Sequence, residues 1–111
     1  MEIEKLIAAL EETISYLKTS QSSDWSNMPV EEIIRRLETE LTKARNLKPV
    51  DVNLLDLLFA PTGVIQETSI DNGWGTEFLR ISDVVDQFTP GWNELTDLIA
   101  RRSAQNESPT N

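Results

Sequence analysis

Carboxylates are the side chains of this chain that could do chemistry. Its 111 residues contain 19 Asp and Glu residues but no His and no Cys. Without imidazole or thiol, the remaining routes to catalysis are pairs of carboxylates, a Ser–Lys pair or metal-bound water. None of these has a recognisable spacing here. The sequence therefore favours a non-enzymatic protein, with no catalytic residue, no metal and no cofactor.

Two pairs of carboxylates have helical spacing, Asp83 with Asp86 and Glu94 with Asp97. Such pairs bind Mg²⁺ in some all-helical hydrolases. At 100° per residue, however, both pairs point away from the neighbouring apolar side chains, which indicates a solvated face. A small divalent-metal-dependent hydrolase remains the alternative, and its candidate residues are Asp56, Glu67, Asp71, Asp83 and Asp86.

The segment 59–75 differs from the rest of the chain because it contains three of the four glycines, a Pro and a Trp. A backbone that needs such special geometry makes either a packed corner or a site. Its oxygen donors suit a polar ligand, but no Lys or Arg lies between residues 49 and 79 to hold a phosphate. A structural turn, a protein-binding edge and a ligand site all stay open. The candidate binding residues are Thr62, Gln66, Glu67, Asp71, Asn72 and Trp74.

The elements that would position these residues are amphipathic helices. Apolar spacing of three and four predicts helices over residues 2–18, 29–48, 52–60, 76–88 and 90–102, and one or two further turns over 64–70. Asp51 is the expected cap of the third helix, which is apolar almost all round and should be buried on more than one side. Asn72-Gly73 predicts a tight turn, with a β-hairpin as the alternative. Trp25, in the polar linker, is expected to cover the core or to be an exposed anchor.

The negative charge is concentrated in the second half of the chain. Residues 49–100 carry a net charge of −8 out of −9 for the whole chain. This excludes nucleic acid and anionic membrane as favoured partners, because phosphate binding needs clustered Lys and Arg. It suits a basic protein partner, and it also suits simple solubility. No apolar run is long enough to span a membrane, and the lack of Cys fits a reducing cytoplasm.

The central run Leu58-Phe59-Ala60-Pro61-Thr62-Gly63, with Gln66-Glu67 and Asn72-Gly73-Trp74 after it, resembles a family of small uncharacterised bacterial proteins with a domain of unknown function. The resemblance covers the middle of the chain and implies a compact bacterial protein, without implying an activity. In size, acidity and helical content the chain is also similar to bacterial immunity and antitoxin proteins. Those proteins neutralise a basic toxin with an acidic helical face.

These observations predict an all-α fold, an irregular bundle of four to five helices around a short apolar central helix. One helical domain should cover residues 1–102, followed by a disordered tail at 103–111. The predicted function is a cytoplasmic interaction module that binds a basic protein. A structural homodimer is a further alternative.

Overall fold

The protein is all-α in its computed structural model, which describes residues 2–23, 27–61 and 63–87. Four helices are α1 (Glu2–Lys18), α2 (Val30–Arg45), α3 (Val52–Leu58) and α4 (Val64–Asp71). A fifth, α5, begins at residue 75 and is helical as far as residue 87, where the described residues end. The predicted all-α bundle is confirmed. The predictions for Trp25, for a helix over 90–102 and for the tail lie outside the described residues.

The core is formed where the apolar stripes of the helices meet. α1 and α2 pack against each other, and Leu6, Leu10 and Leu17 of α1 are fully buried. The shorter helices contribute Leu55, Leu58, Ile65, Phe78, Ile81 and Val85. Among the described helices, none combines the length and the apolar character needed to cross a membrane.

α2 ends earlier than its apolar spacing predicts, at Arg45 rather than near Lys48. The Leu47 amide donates to the Ala44 carbonyl at 3.1 Å, and the Lys48 amide donates to the Lys43 carbonyl at 2.9 Å. This pair of bonds is the Schellman ending, which needs a left-handed residue after the cap. Leu47 takes that position with φ 55°, a conformation that favours glycine.

α3 begins at the predicted cap, because the Asp51 carboxylate accepts a hydrogen bond from the Leu54 amide at 3.0 Å. The Asp51 amide in turn donates to the Glu40 carboxylate at 2.6 Å. Glu40 is only 2% exposed, so this acid from α2 holds the start of α3 from inside the protein. The expected burial on more than one side is wrong for one residue of α3, since Leu57 is 66% exposed.

Candidate functional site

The central segment forms a corner in which α4 ends and α5 begins. The Gly73 amide donates to the Ile70 carbonyl at 3.4 Å, and the Trp74 amide donates to the Ser69 carbonyl at 2.9 Å. This is a second Schellman ending, with Gly73 at φ 83° in the left-handed position. The predicted turn at Asn72-Gly73 is confirmed, and the β-hairpin alternative is wrong because the residues on both sides of the turn are helical.

The Asn72 side chain joins this corner to the polar linker that follows α1. Its Oδ1 accepts from the Gln21 amide at 2.9 Å, and its Nδ2 donates to the Gln21 carbonyl at 2.8 Å. The side-chain amide of Asn72 therefore binds both the N–H and the C=O of the Gln21 backbone. Nδ2 also donates to the Thr68 carbonyl at 2.8 Å, which occupies its second hydrogen.

Trp74 is a core residue with a polar anchor. It is 4% exposed, and its ring stacks on Tyr16 with 4.9 Å between ring centroids and 10° between ring planes. Its indole Nε1 donates to the Ser20 hydroxyl at 2.9 Å, and that hydroxyl donates onward to the Tyr16 carbonyl at 2.8 Å. The indole N–H of Trp74 thus has a hydrogen-bond acceptor, and its ring has an aromatic partner, inside the protein.

The same linker reaches the start of α2. The Ser23 hydroxyl donates to the Asp71 carboxylate, and the Ser22 hydroxyl accepts from the Val30 amide at 2.9 Å. Pro29, at the cap position of α2, makes no side-chain cap bond. The hydroxyl of Ser22, eight residues before Val30, supplies an acceptor for the first turn instead. Residues 20–23 therefore tie the α4–α5 corner to the first turn of α2.

The predicted binding residues fall into distinct groups. Asp71, Asn72 and Trp74 come together at the corner, where their polar side-chain groups contact residues 20–23. Gln66 and Glu67 lie half-buried on α4, and Thr62 lies outside the described residues. These contacts favour the structural interpretation of the corner, and a binding role for the six residues stays a prediction.

Gly63 also has a structural explanation. A Cβ at this position would lie 2.9 Å from the Ala60 carbonyl oxygen and 3.1 Å from the Leu57 carbonyl oxygen. Such distances are too short for a side-chain carbon. Glycine is therefore needed here because the backbone at the end of α3 lies close to Gly63. The space next to Gly63 is filled by the chain itself rather than offered to a ligand.

A group of carboxylates gathers between α3 and α5. Partial burial raises the pKa of the Asp86 carboxyl, and the charges of Asp56 and Asp83 raise it further. Asp56 lies thirty residues before Asp86 in the chain, so the fold brings these charges together. Within the described residues, no set of three or more acidic side chains is arranged to hold a metal ion. The metal-dependent hydrolase therefore gains no support from this arrangement.

Two exposed apolar side chains lie near the start of α5, before these carboxylates along the helix. A Cβ on Gly75 would lie 3.4 Å from Ile70 Cγ1, so the Ile70 side chain covers the first turn of α5. Leu79 follows Gly75 by one turn on the same side of the helix. Ile70 is 59% exposed and Leu79 is 55% exposed. Sequence reasoning missed both exposed side chains. For Leu79 a signal was available, because this apolar residue lies four positions before Asp83 on the polar side of α5.

Ion pairs neutralise most basic residues of the first half of the chain. Arg35 and Arg36 bind Glu32, Lys43 binds Glu40, and Arg45 binds Glu11. The Arg35 contact lowers the pKa of Glu32 and raises that of the guanidinium. On α5, Arg80 turns to the other flank of the helix and binds Glu12 of α1. A cavity of about 200 Å³ is lined by this pair, by Lys5 and by the apolar residues Ala8, Ala9, Ile81 and Val84.

The chain matches no protein-family model, no curated protein and no solved structure. The bacterial resemblance of the central segment and the likeness to immunity proteins therefore stay predictions, and the fold class is described by its own geometry as a small helical bundle.

Proposed function

We propose that this protein is a non-enzymatic interaction module that binds a basic protein through the acidic surface of its second half. The observation that carries the proposal is the uneven way in which charges are paired. Residues 49–100 contain one basic residue, Arg80, and its guanidinium is engaged by Glu12 of α1. Asp83 and Asp86 take part in none of the ion pairs of the described residues.

The raised pKa of Asp86 supports the same proposal. Partial burial is the main cause that raises the pKa of Asp86, and the charges of Asp56 and Asp83 raise it further, so a cation brought to these carboxylates would interact favourably with them. Complementary charge of this kind speeds association and selects partners by sign. A cytoplasmic location and the exclusion of nucleic acid belong to this proposal.

The test uses a Lys-rich peptide as the probe and fluorescence anisotropy as the measurement. We expect binding that weakens steeply between about 20 mM and about 200 mM NaCl, because exposed charges are screened over this range. The variant Asp83→Asn/Asp86→Asn should bind about tenfold more weakly than the wild type.

The matched control is Glu31→Gln/Glu38→Gln, which removes two charges from exposed positions of α2 and leaves the same net charge as the test variant. If both variants lose affinity equally, the probe responds to net charge alone and the acidic surface is not a binding site. Binding by the wild type that is insensitive to salt would equally reject the proposal.

A further inference from the structure

The exposed apolar pair and the carboxylates beside it form one continuous strip, which we call the Leu79 face. It consists of Ile70, Gly75, Leu79, Asp83 and Asp86, with Asp56 of α3 alongside. On α5 the successive steps from Gly75 to Leu79, from Leu79 to Asp83 and from Asp83 to Asp86 are four, four and three residues, which keep these positions on one side of the helix. From Gly75 to Asp86 the strip is about 16 Å long, or three helical turns.

The two ends of the Leu79 face differ in chemistry. Ile70 and Leu79 are both more than half exposed at one end, and Gly75 between them has no side chain to cover either. Asp56, Asp83 and Asp86 concentrate negative charge at the other end. The distance from Leu79 to Asp86 along the helix is about 10 Å, or two turns.

We infer that the occupant of the Leu79 face is a helical segment of a basic protein, with its apolar and basic residues separated along the segment. A pair of large apolar residues at i and i+4 contacts Ile70 and Leu79, and Lys or Arg residues about two turns further along lie over Asp83 and Asp86. This deepens the proposed function and rests on it. Charge complementarity selects the partner, because a second copy of this chain packed through the same face would bring no cation to these carboxylates.

An apolar anchor adds selectivity that charge alone does not supply. Burying a Leu side chain against Leu79 and Ile70 removes apolar area from water on both partners. Basic residues placed at random along a segment would reach the carboxylates but leave the apolar pair exposed. The Leu79 face therefore distinguishes a segregated segment from any other polycation of the same charge.

The experiment compares two helical peptides of identical composition. The first has two Leu residues at i and i+4 and three Lys residues two turns further along. The second has the same residues interleaved around the helix. We expect the wild type to bind the first peptide about tenfold more tightly than the second. Leu79→Gln should remove this preference and keep the salt-dependent part of the binding.

Leu47→Gln is the matched control. It makes the same chemical change at a site that is 79% exposed and is followed by Lys48, so no carboxylate next to it in the chain attracts a basic peptide. The preference should survive in this variant. Because Leu79 is largely exposed, Leu79→Gln should fold as the wild type does, which circular dichroism verifies.

The outcomes separate the inference from the function on which it rests. Equal binding of both peptides, weakened by Asp83→Asn/Asp86→Asn, would overturn the inference and leave the proposed function standing. Binding of neither peptide would overturn both. A wild type that is a dimer by light scattering, with Leu79→Gln a monomer, would show that a second copy covers the face and would overturn the inference.

Discussion

Replacement of Asn72 by Ala should destabilise the protein by about 1–2 kcal/mol. The change removes three hydrogen bonds, two to the backbone of Gln21 and one to the Thr68 carbonyl. Each such bond contributes about 0.5–1.5 kcal/mol net. The bonds to Gln21 are exposed, so water replaces them in the variant and their contribution lies at the lower end. The sum is about 1–2 kcal/mol.

Urea denaturation followed by circular dichroism measures this loss. For a domain of this size a change of about 1–2 kcal/mol lowers the unfolding midpoint by about 0.5–1 M urea, with an unchanged slope. The matched control is Asn53→Ala on an exposed position of α3. It should leave stability unchanged or raise it slightly, because Ala is the better helix former.

A second substitution tests whether the corner acts as one unit. Trp74→Phe keeps a ring that stacks on Tyr16 and removes the N–H that binds Ser20. Asn72 and Trp74 both bind the linker that follows α1, so losing one of these contacts should reduce the contribution of the other to stability. The double variant should therefore cost less than the sum of the single variants. An unchanged midpoint in Asn72→Ala would refute the view that the corner is a structural lock, and a loss of partner binding without a loss of stability would make Asn72 a binding residue.

Three further variants test other parts of the structure. Leu47→Gly should stabilise the protein by about 0.5–1 kcal/mol, because Leu47 holds a left-handed conformation with φ 55°; Leu47→Ala, which keeps a Cβ, should show no such gain in urea denaturation. Gly63→Ala should cost about 1–3 kcal/mol, since its Cβ would lie 2.9 Å from the Ala60 carbonyl oxygen, and an unfolding midpoint equal to the wild type's would contradict the close approach. Asp86→Asn should change the pH dependence of stability: the folded pKa of Asp86 lies above its unfolded value of about 3.9, so the wild type loses stability as pH rises from about 4 through the folded pKa. The stability of the variant relative to the wild type should grow over that pH range in urea denaturation, and a constant difference from pH 3 to pH 7 would reject the raised pKa.

The local signals of the sequence were sufficient for the helices that the structure describes and for two of their ends. Spacings of three and four between apolar residues place α1 at the predicted residues, and the short polar side chain of Asp51 caps α3 as predicted. Gly73 and Asn72 form the predicted turn because a left-handed residue is needed there and glycine accepts that conformation without strain. Each of these features depends on residues close together in the chain.

Local signals failed where the structure depends on a residue distant in the chain or on how far neighbouring elements cover a single side chain. Glu40 lies on the apolar stripe of α2, but its burial makes sense only once the start of α3 places the Asp51 amide against it. The end of α2 at Arg45 was missed because it depends on a left-handed conformation of Leu47, which the residue type does not favour. Leu57 was expected to be buried but is exposed. Periodicity shows which surface of a helix is apolar, but it does not show whether neighbouring elements cover that surface.

The sequence by itself determined an acidic, all-helical chain with its charge in the second half and with an unusual turn at its centre. It did so because composition and spacing act locally and add along the chain. Only the tertiary structure decided that the turn is locked to residues 20–23, since those hydrogen bonds join residues about fifty positions apart. The fold likewise decided that Asp56 comes close to Asp86 and that Ile70 lies against the first turn of α5. The Leu79 face combines a local pattern, the spacing of Gly75, Leu79, Asp83 and Asp86 on α5, with Ile70 and Asp56, which packing brings to it from other helices.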